Sequence, residues 1–234
     1  MADRPLVSII TGTHNRHDLL LETIKNVRQQ TYPGPIEHVI VSDGPDPGLL
    51  PPRVISFRPH GLRHIEQRFV ECGRHWSSFL AGSISTAPFL VAQLVARGPL
   101  QMWLADDERM EPDHIEALVD LLERTDSDFV YPRVLLVPGP GVPLTPYVIG
   151  TDPPMLGQVT HALYRVELLD YRMFTFGVGS ATDWDQIQHW MAAGARWAML
   201  DRVTMTHRID KLGEGPDFRA ERQSLRGHRE GGGV

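Results

Sequence analysis

The chain of 234 residues is poor in three things. It has one cysteine, Cys72, so no intramolecular disulfide framework can form, and a reducing compartment is expected. It has almost no lysine: of 23 basic residues only Lys25 and Lys211 are lysine and the rest are arginine. It has no uncharged apolar run near the roughly 18 residues of a membrane span, and its acid-bearing N-terminus lacks a secretory layout. The net charge of −6 argues against a nucleic-acid binder working through a basic surface. Several motifs are also absent: the dinucleotide G-x-G-x-x-G, the phosphate-binding G-x-x-x-x-G-K-[ST], the G-x-S-x-G elbow and C-x-x-C.

What is present is an alternation of apolar runs and helical patterns. Strands are expected at Leu6–Thr11, His38–Ser42, Arg53–Phe57, Leu100–Ala105, Phe129–Val137 and Trp197–Thr206. Helices are expected at Asp18–Gln30, with Leu20, Ile24 and Val27 on one face, at Pro112–Glu123, Ala162–Leu169 and Trp184–Ala193. Trp76–Arg97 reads as two helices broken near Pro88. Pro138–Pro154 reads as a long loop, and the Arg- and Gly-rich tail from Gly213 as a mobile segment. The alternation implies an α/β fold with a mixed, mostly parallel central sheet flanked by helices. One domain over residues 1–212 followed by a tail over 213–234 is expected.

In such sheets ligands sit beyond the carboxyl ends of the strands. Polar groups gather there: Thr11 to Arg16 after the first strand, Asp43 after the second, Asp106-Asp107-Glu108 after the fourth and His207-Arg208 at the last. Three consecutive acids repel one another and call for a bound positive group; hard oxygens of this kind suit Mg²⁺ or Mn²⁺ shared with phosphates. Acids enriched at the start of the next helix are the alternative. Asp183 fits a general base and equally a helix N-cap, with Asp185 as the fallback base. His207 fits a metal or phosphate ligand, or a structural histidine. Asp43 fits an acceptor for a base or ribose, or plain turn chemistry.

Together these pieces resemble family 2 glycosyltransferases with the GT-A fold, over roughly residues 5–210. Pro5 to Thr11 with His14-Asn15-Arg16 is similar to the family's opening strand and turn. Val39 to Gly44 is similar to its second strand, Trp103 to Asp107 with Pro112 to Ile115 to its metal motif and following helix, and Thr182-Asp183-Trp184 with Gly194 to its catalytic region. The resemblance implies a nucleotide-diphosphate sugar as donor, UDP by default with GDP and dTDP open. It implies that Thr11, Asn15, Arg16 and Asp43 hold the nucleotide. Asp107, helped by Asp106 and completed by His207, would hold Mn²⁺ or Mg²⁺, and Asp183 would deprotonate the acceptor hydroxyl in a single inverting displacement. Two positions depart from the pattern: Leu104 stands where an Asp often does, and Thr182 where a Glu commonly precedes the base.

The expected partners are a nucleotide sugar and a small soluble acceptor bearing a hydroxyl, with no nucleic acid and no integral membrane segment; a homodimer is left open, and the location expected is cytoplasmic. A non-catalytic sugar-nucleotide-binding protein on the same fold is the main alternative. A sugar-1-phosphate nucleotidyltransferase ranks below it, because its Gly-rich, Arg-containing N-terminal loop is missing.

Overall fold

The computed structural model describes residues 4–14, 16–43, 55–57, 65–72, 86–140, 142–143, 145–155, 161–169 and 182–209. The tail from Gly213 lies outside them. Ten strands form one sheet: β1 (Val7–Thr13), β2 (Ile36–Asp43), β3 (Ile55–Phe57), β4 (Ile65–Cys72), β5 (Leu100–Trp103), β6 (Arg109–Met110), β7 (Phe129–Pro138), β8 (Tyr147–Ile149), β9 (Leu163–Arg165) and β10 (Trp197–Ile209). The order is β3-β4-β2-β1-β5-β9-β7-β10-β6, with β8 paired to β7. β4, β2, β1 and β5 run parallel, and β10 runs parallel to β7. β9 is antiparallel to both β5 and β7, so those two share a direction. The mixed, mostly parallel sheet expected from the sequence is the one observed.

Four described helices cover the sheet: α1 (His17–Arg28), α2 (Thr86–Val95), α3 (His114–Thr125) and α4 (Thr182–Ala192). Successive residues of a strand face opposite ways, so β1 feeds two cores. Ile9 packs with Val27, Leu118, Leu122, Val130 and Leu163, under α1 and α3. Ile10 packs with Val39, Ala92, Trp103, Tyr164, Ile187 and Trp190, under α2 and α4. Burial on both faces explains why the central strands read as unbroken apolar runs. On α1 the expected stripe of Leu20, Ile24 and Val27 is buried. Gly12 eases the close approach of α2 to β1: a Cβ there would meet Pro88 Cβ at a tight 3.1 Å.

Several expectations are corrected. Pro88 falls in the first turn of α2, where its missing N–H costs nothing, and does not break that helix; residues 76–85 lie outside the described residues. Ala162–Leu169 is not an α-helix but β9 followed by a short 3₁₀ turn, Val166–Leu168. Leu163 and Tyr164 enter opposite cores, and the double ladder to β5 and β7 outweighs local helical preference. The Pro138–Pro154 loop contains β8, folded back on β7 as a hairpin with the intervening prolines at its tip. Residues 65–72, for which the sequence pattern marks no strand, form β4 in register with β2. Its polar residues Glu66, Gln67, Arg68 and Glu71 disguise it as a loop.

Candidate active site

At the carboxyl edge the ladder between β1 and β5 runs one residue past Trp103, where Leu104 N–H donates to the Ile10 carbonyl at 2.9 Å. The chain then turns through Asp106, Asp107 and Glu108. Three charges cannot continue a strand buried on both faces.

Helix α1 supports this turn along one polar face. Thr23 Oγ1 donates to the Asp106 carbonyl at 2.9 Å. Asn26 exchanges two hydrogen bonds with the Met110 backbone, and Gln30 bonds the Glu111 carbonyl and the Ile115 N–H. These side chains follow the helical three- and four-residue spacing. The Asp106 carboxylate, nearly buried, accepts from Thr13 Oγ1 at 2.8 Å and from the Arg16 guanidinium at 3.0 Å. Arg16 also donates to Asp107 at 3.0 Å, so one cation ties two adjacent acids. Burial raises the pKa of both acids above the ordinary carboxylate value, with Arg16 opposing it; at Asp107 the neighbouring Glu108 adds to the rise and His207 opposes it.

Glu108 points the other way, toward two histidines distant in sequence. A short antiparallel ladder makes this possible: Arg109 of β6 pairs with Thr206 of β10, and Met110 with Met205. The next residues outward are Glu108 and His207. His207 Nδ1 lies 2.5 Å from Glu108 Oε1, across 99 residues of sequence. His161, just before β9, places Nδ1 3.1 Å from Oε2, which also accepts the Ala105 N–H at 2.9 Å. Burial pushes the Glu108 pKa up, but the two imidazoles outweigh it and hold the carboxylate well below its usual range. Among the described residues Glu108, His161 and His207 form a cluster able to hold a metal ion, their ligand atoms within 4.8 Å of one another.

No protein-family model matches the chain, and no curated protein sequence does. Solved structures do match. Staphylococcus aureus TarS 1–349 superposes with a TM-score of 0.57 at 17% identity, over 86% of this chain and 60% of that one. The same segment in complex with UDP gives 0.59 at 20% identity, over 87% and 60%, and with UDP-GlcNAc 0.59 at 18%, over 92% and 60%. The fold is GT-A. The chain spans about 60% of the length of that TarS segment, and at these identities the likeness is one of fold.

Within this GT-A sheet, the residues singled out in the sequence separate. Arg16, Asp106 and Asp107 come together, with His207 within electrostatic reach of Asp107. Thr11 is fully buried within the sheet and bonds His38 Nε2 at 3.0 Å, not one of the acids. Asn15 lies outside the described residues. Asp43 ends β2 at the same edge, and Asp183 is the second residue of α4; their side chains lie outside the described ones. α4 ends in a left-handed Gly194 (φ 86°), with Ala195 N–H on the Trp190 carbonyl and Gly194 N–H on that of Met191. The chain then enters β10 at the amino edge.

Sequence reasoning missed Thr13, Thr23 and His161 as partners of the acids. Thr13 carried a signal, since it ends the first strand. His161 carried none, because only β9 brings it to Glu108.

Among the described residues no helix is long and apolar enough to cross a membrane.

Proposed function

We propose that this protein is a metal-dependent, inverting glycosyltransferase that moves a sugar from a nucleotide-diphosphate sugar to an acceptor hydroxyl. The observation that carries the reading is the convergence of Asp106, Asp107, Arg16 and His207 at the carboxyl edge of a GT-A sheet. TarS structures of the same fold hold UDP and UDP-GlcNAc, which supports a nucleotide-sugar donor, with UDP as the first nucleotide to test.

The residues divide the work. Asp106 is saturated by Thr13 and Arg16 and serves as an anchor. Asp107 and His207, each partly open to solvent, would hold the divalent cation. A carboxylate oxygen with an imidazole nitrogen is a mixed donor set, which suits Mn²⁺ better than Mg²⁺. When bound, the cation would act as a Lewis acid toward the charge that builds on the departing diphosphate. Arg16 is nearly half exposed and has further N–H donors beyond those given to the acids, so it can also bind a diphosphate oxygen. Asn15 and Asp43 are proposed to contact the nucleotide. Asp183, at a rigid helix start, would accept the acceptor proton while donor and acceptor are held in line.

The test is a thermal-shift screen of UDP-, GDP- and dTDP-sugars with and without Mn²⁺, followed by donor hydrolysis. The expected result is a melting temperature raised by one nucleotide series, more so with Mn²⁺, and slow hydrolysis that Asp183→Asn abolishes while donor binding persists. Binding without hydrolysis or transfer would leave a sugar-nucleotide-binding protein. No binding, together with an Asp107→Ala variant indistinguishable from the native chain, would sink the reading.

A further inference from the structure

We infer that Glu108 is a positioning residue and not a metal ligand: it holds the proton of His207 on Nδ1 and thereby turns the Nε2 lone pair toward Asp107. The inference deepens the proposed reading and rests on it for the identity of the site.

Both histidines approach Glu108 through Nδ1, and they approach different oxygens. His207 meets Oε1 at 2.5 Å and His161 meets Oε2 at 3.1 Å. Those are the distances of donor to acceptor. Three ligands of one cation would direct their lone pairs at a shared point; here His207 Nδ1 is directed at Glu108 Oε1 in a hydrogen bond, while His161 Nδ1 sits beside Oε2 as a close neighbour without hydrogen-bond alignment. A carboxylate has no proton to give, so the proton between His207 and Glu108 sits on Nδ1. Which nitrogen of an imidazole ligates is set by the hydrogen bond the other nitrogen makes.

Burial agrees with this division. The Glu108 and His161 side chains are 1% and 0% exposed, whereas His207 is 27% exposed. The Nδ1 edge of His207 is turned to Glu108, which places Nε2 on the opposite edge of the ring. Glu108 is itself fixed, since Oε2 accepts the Ala105 N–H at the mouth of its own turn. His161 packs beside His207, ring centroids 5.9 Å apart, and gives the carboxylate a second imidazole partner. The arrangement is a carboxylate–histidine pair aimed at the site, with a second histidine bracing it from behind.

The inference is tested on the whole protein without substrate. Long-range ¹⁵N–¹H correlation spectra of the ring nitrogens, taken at alkaline pH and assigned by loss of signals in His207→Gln, report the tautomer. Free neutral imidazole prefers the proton on Nε2. The expected result is the reverse for His207: Nδ1 protonated, Nε2 bare. In Glu108→Gln the Nε2–H form should gain population, and Mn²⁺ affinity by calorimetry should fall 10- to 100-fold. One equivalent of Zn²⁺, a diamagnetic probe, should shift His207 Nε2 and leave both Nδ1 signals protonated.

Native His207 carrying its proton on Nε2 would overturn the inference. So would Zn²⁺ binding through the Nδ1 atoms of His161 and His207 together, which would make Glu108 a ligand. Because the native tautomer is read directly, a Glu108→Gln chain that fails to fold does not spare the proposal. Because no sugar nucleotide is present, the result is separate from the success or failure of the transferase reading.

Discussion

Three consecutive acids share one turn and end in opposite environments. On the arginine side, Asp106 and Asp107 are tied by a partly exposed guanidinium, and burial keeps their pKa values above the ordinary carboxylate value. On the histidine side, Glu108 is fully enclosed by two imidazoles and a backbone N–H, and its pKa is held low. The arginine side is assembled from β1 and α1, close to the start of the chain. The histidine side draws on β9 and β10, far along it. A charged residue facing solvent can be exchanged at modest cost, whereas one enclosed with its partners cannot. The arginine side is therefore adjustable at Arg16, whose side chain is 45% exposed, while Asp106 and Asp107 are nearly as enclosed as Glu108.

Removing one acid from each side should separate the two halves. Glu108→Ala leaves the buried His161 and the partly buried His207 without their carboxylate and should cost about 3–5 kcal/mol of stability, read as a lowered urea midpoint. Asp107→Asn should leave that midpoint nearly unchanged. It should instead reduce donor turnover by about 10²- to 10³-fold, the loss typical when a group facing developing charge is removed. The comparison breaks if the two variants exchange phenotypes.

Acidification should strain the fold that carries both halves, through two buried histidines. His38, beside Thr11 in the sheet, and His114, bonded through Nδ1 to Thr204 on the histidine side, are pushed by burial from the ordinary 6.5 to about 3. Arg28 near His38 and His161 near His114 push the same way. Between those values the unfolded chain binds protons that the folded chain refuses. Stability is therefore complete above the ordinary value and falls as pH drops toward the lower one. Each histidine should cost about 2 kcal/mol between neutral pH and about pH 5. Urea midpoints across pH check this, and His114→Gln should flatten the dependence by its own share.

The smallest effect belongs to the support of the arginine side. Thr23→Val removes the hydrogen bond from α1 to the Asp106 carbonyl and should cost about 1 kcal/mol, again from the urea midpoint. An unchanged midpoint would mean that Asn26 and Gln30 suffice to hold the turn.

Much of the fold was legible in the sequence because both faces of the sheet are buried. Val7 to Ile10, apolar but for Ser8, and Val39 to Val41 advertise themselves as strands by their buried apolar residues, and Leu20, Ile24 and Val27 mark the inward face of α1 by their spacing. β4 was concealed by its charges, and β9 by a local sequence that suits a helix equally well. The acidic turn was legible because three charges directly after an apolar strand can only lie at its exposed end. The pairing of those acids was not. Arg16 stands 90 residues from Asp106, and His207 stands 99 from Glu108. No local rule states which acid faces which cation.

The sequence by itself therefore determined the architecture, the edge at which chemistry gathers and the acids that supply it, because periodicity and charge are local properties. Only the tertiary structure decided that Asp106 and Asp107 belong to Arg16 and that Glu108 belongs to His161 and His207. That sorting rests on a two-residue ladder between β6 and β10 and on the insertion of β9 between β5 and β7, contacts whose partners are far apart along the chain.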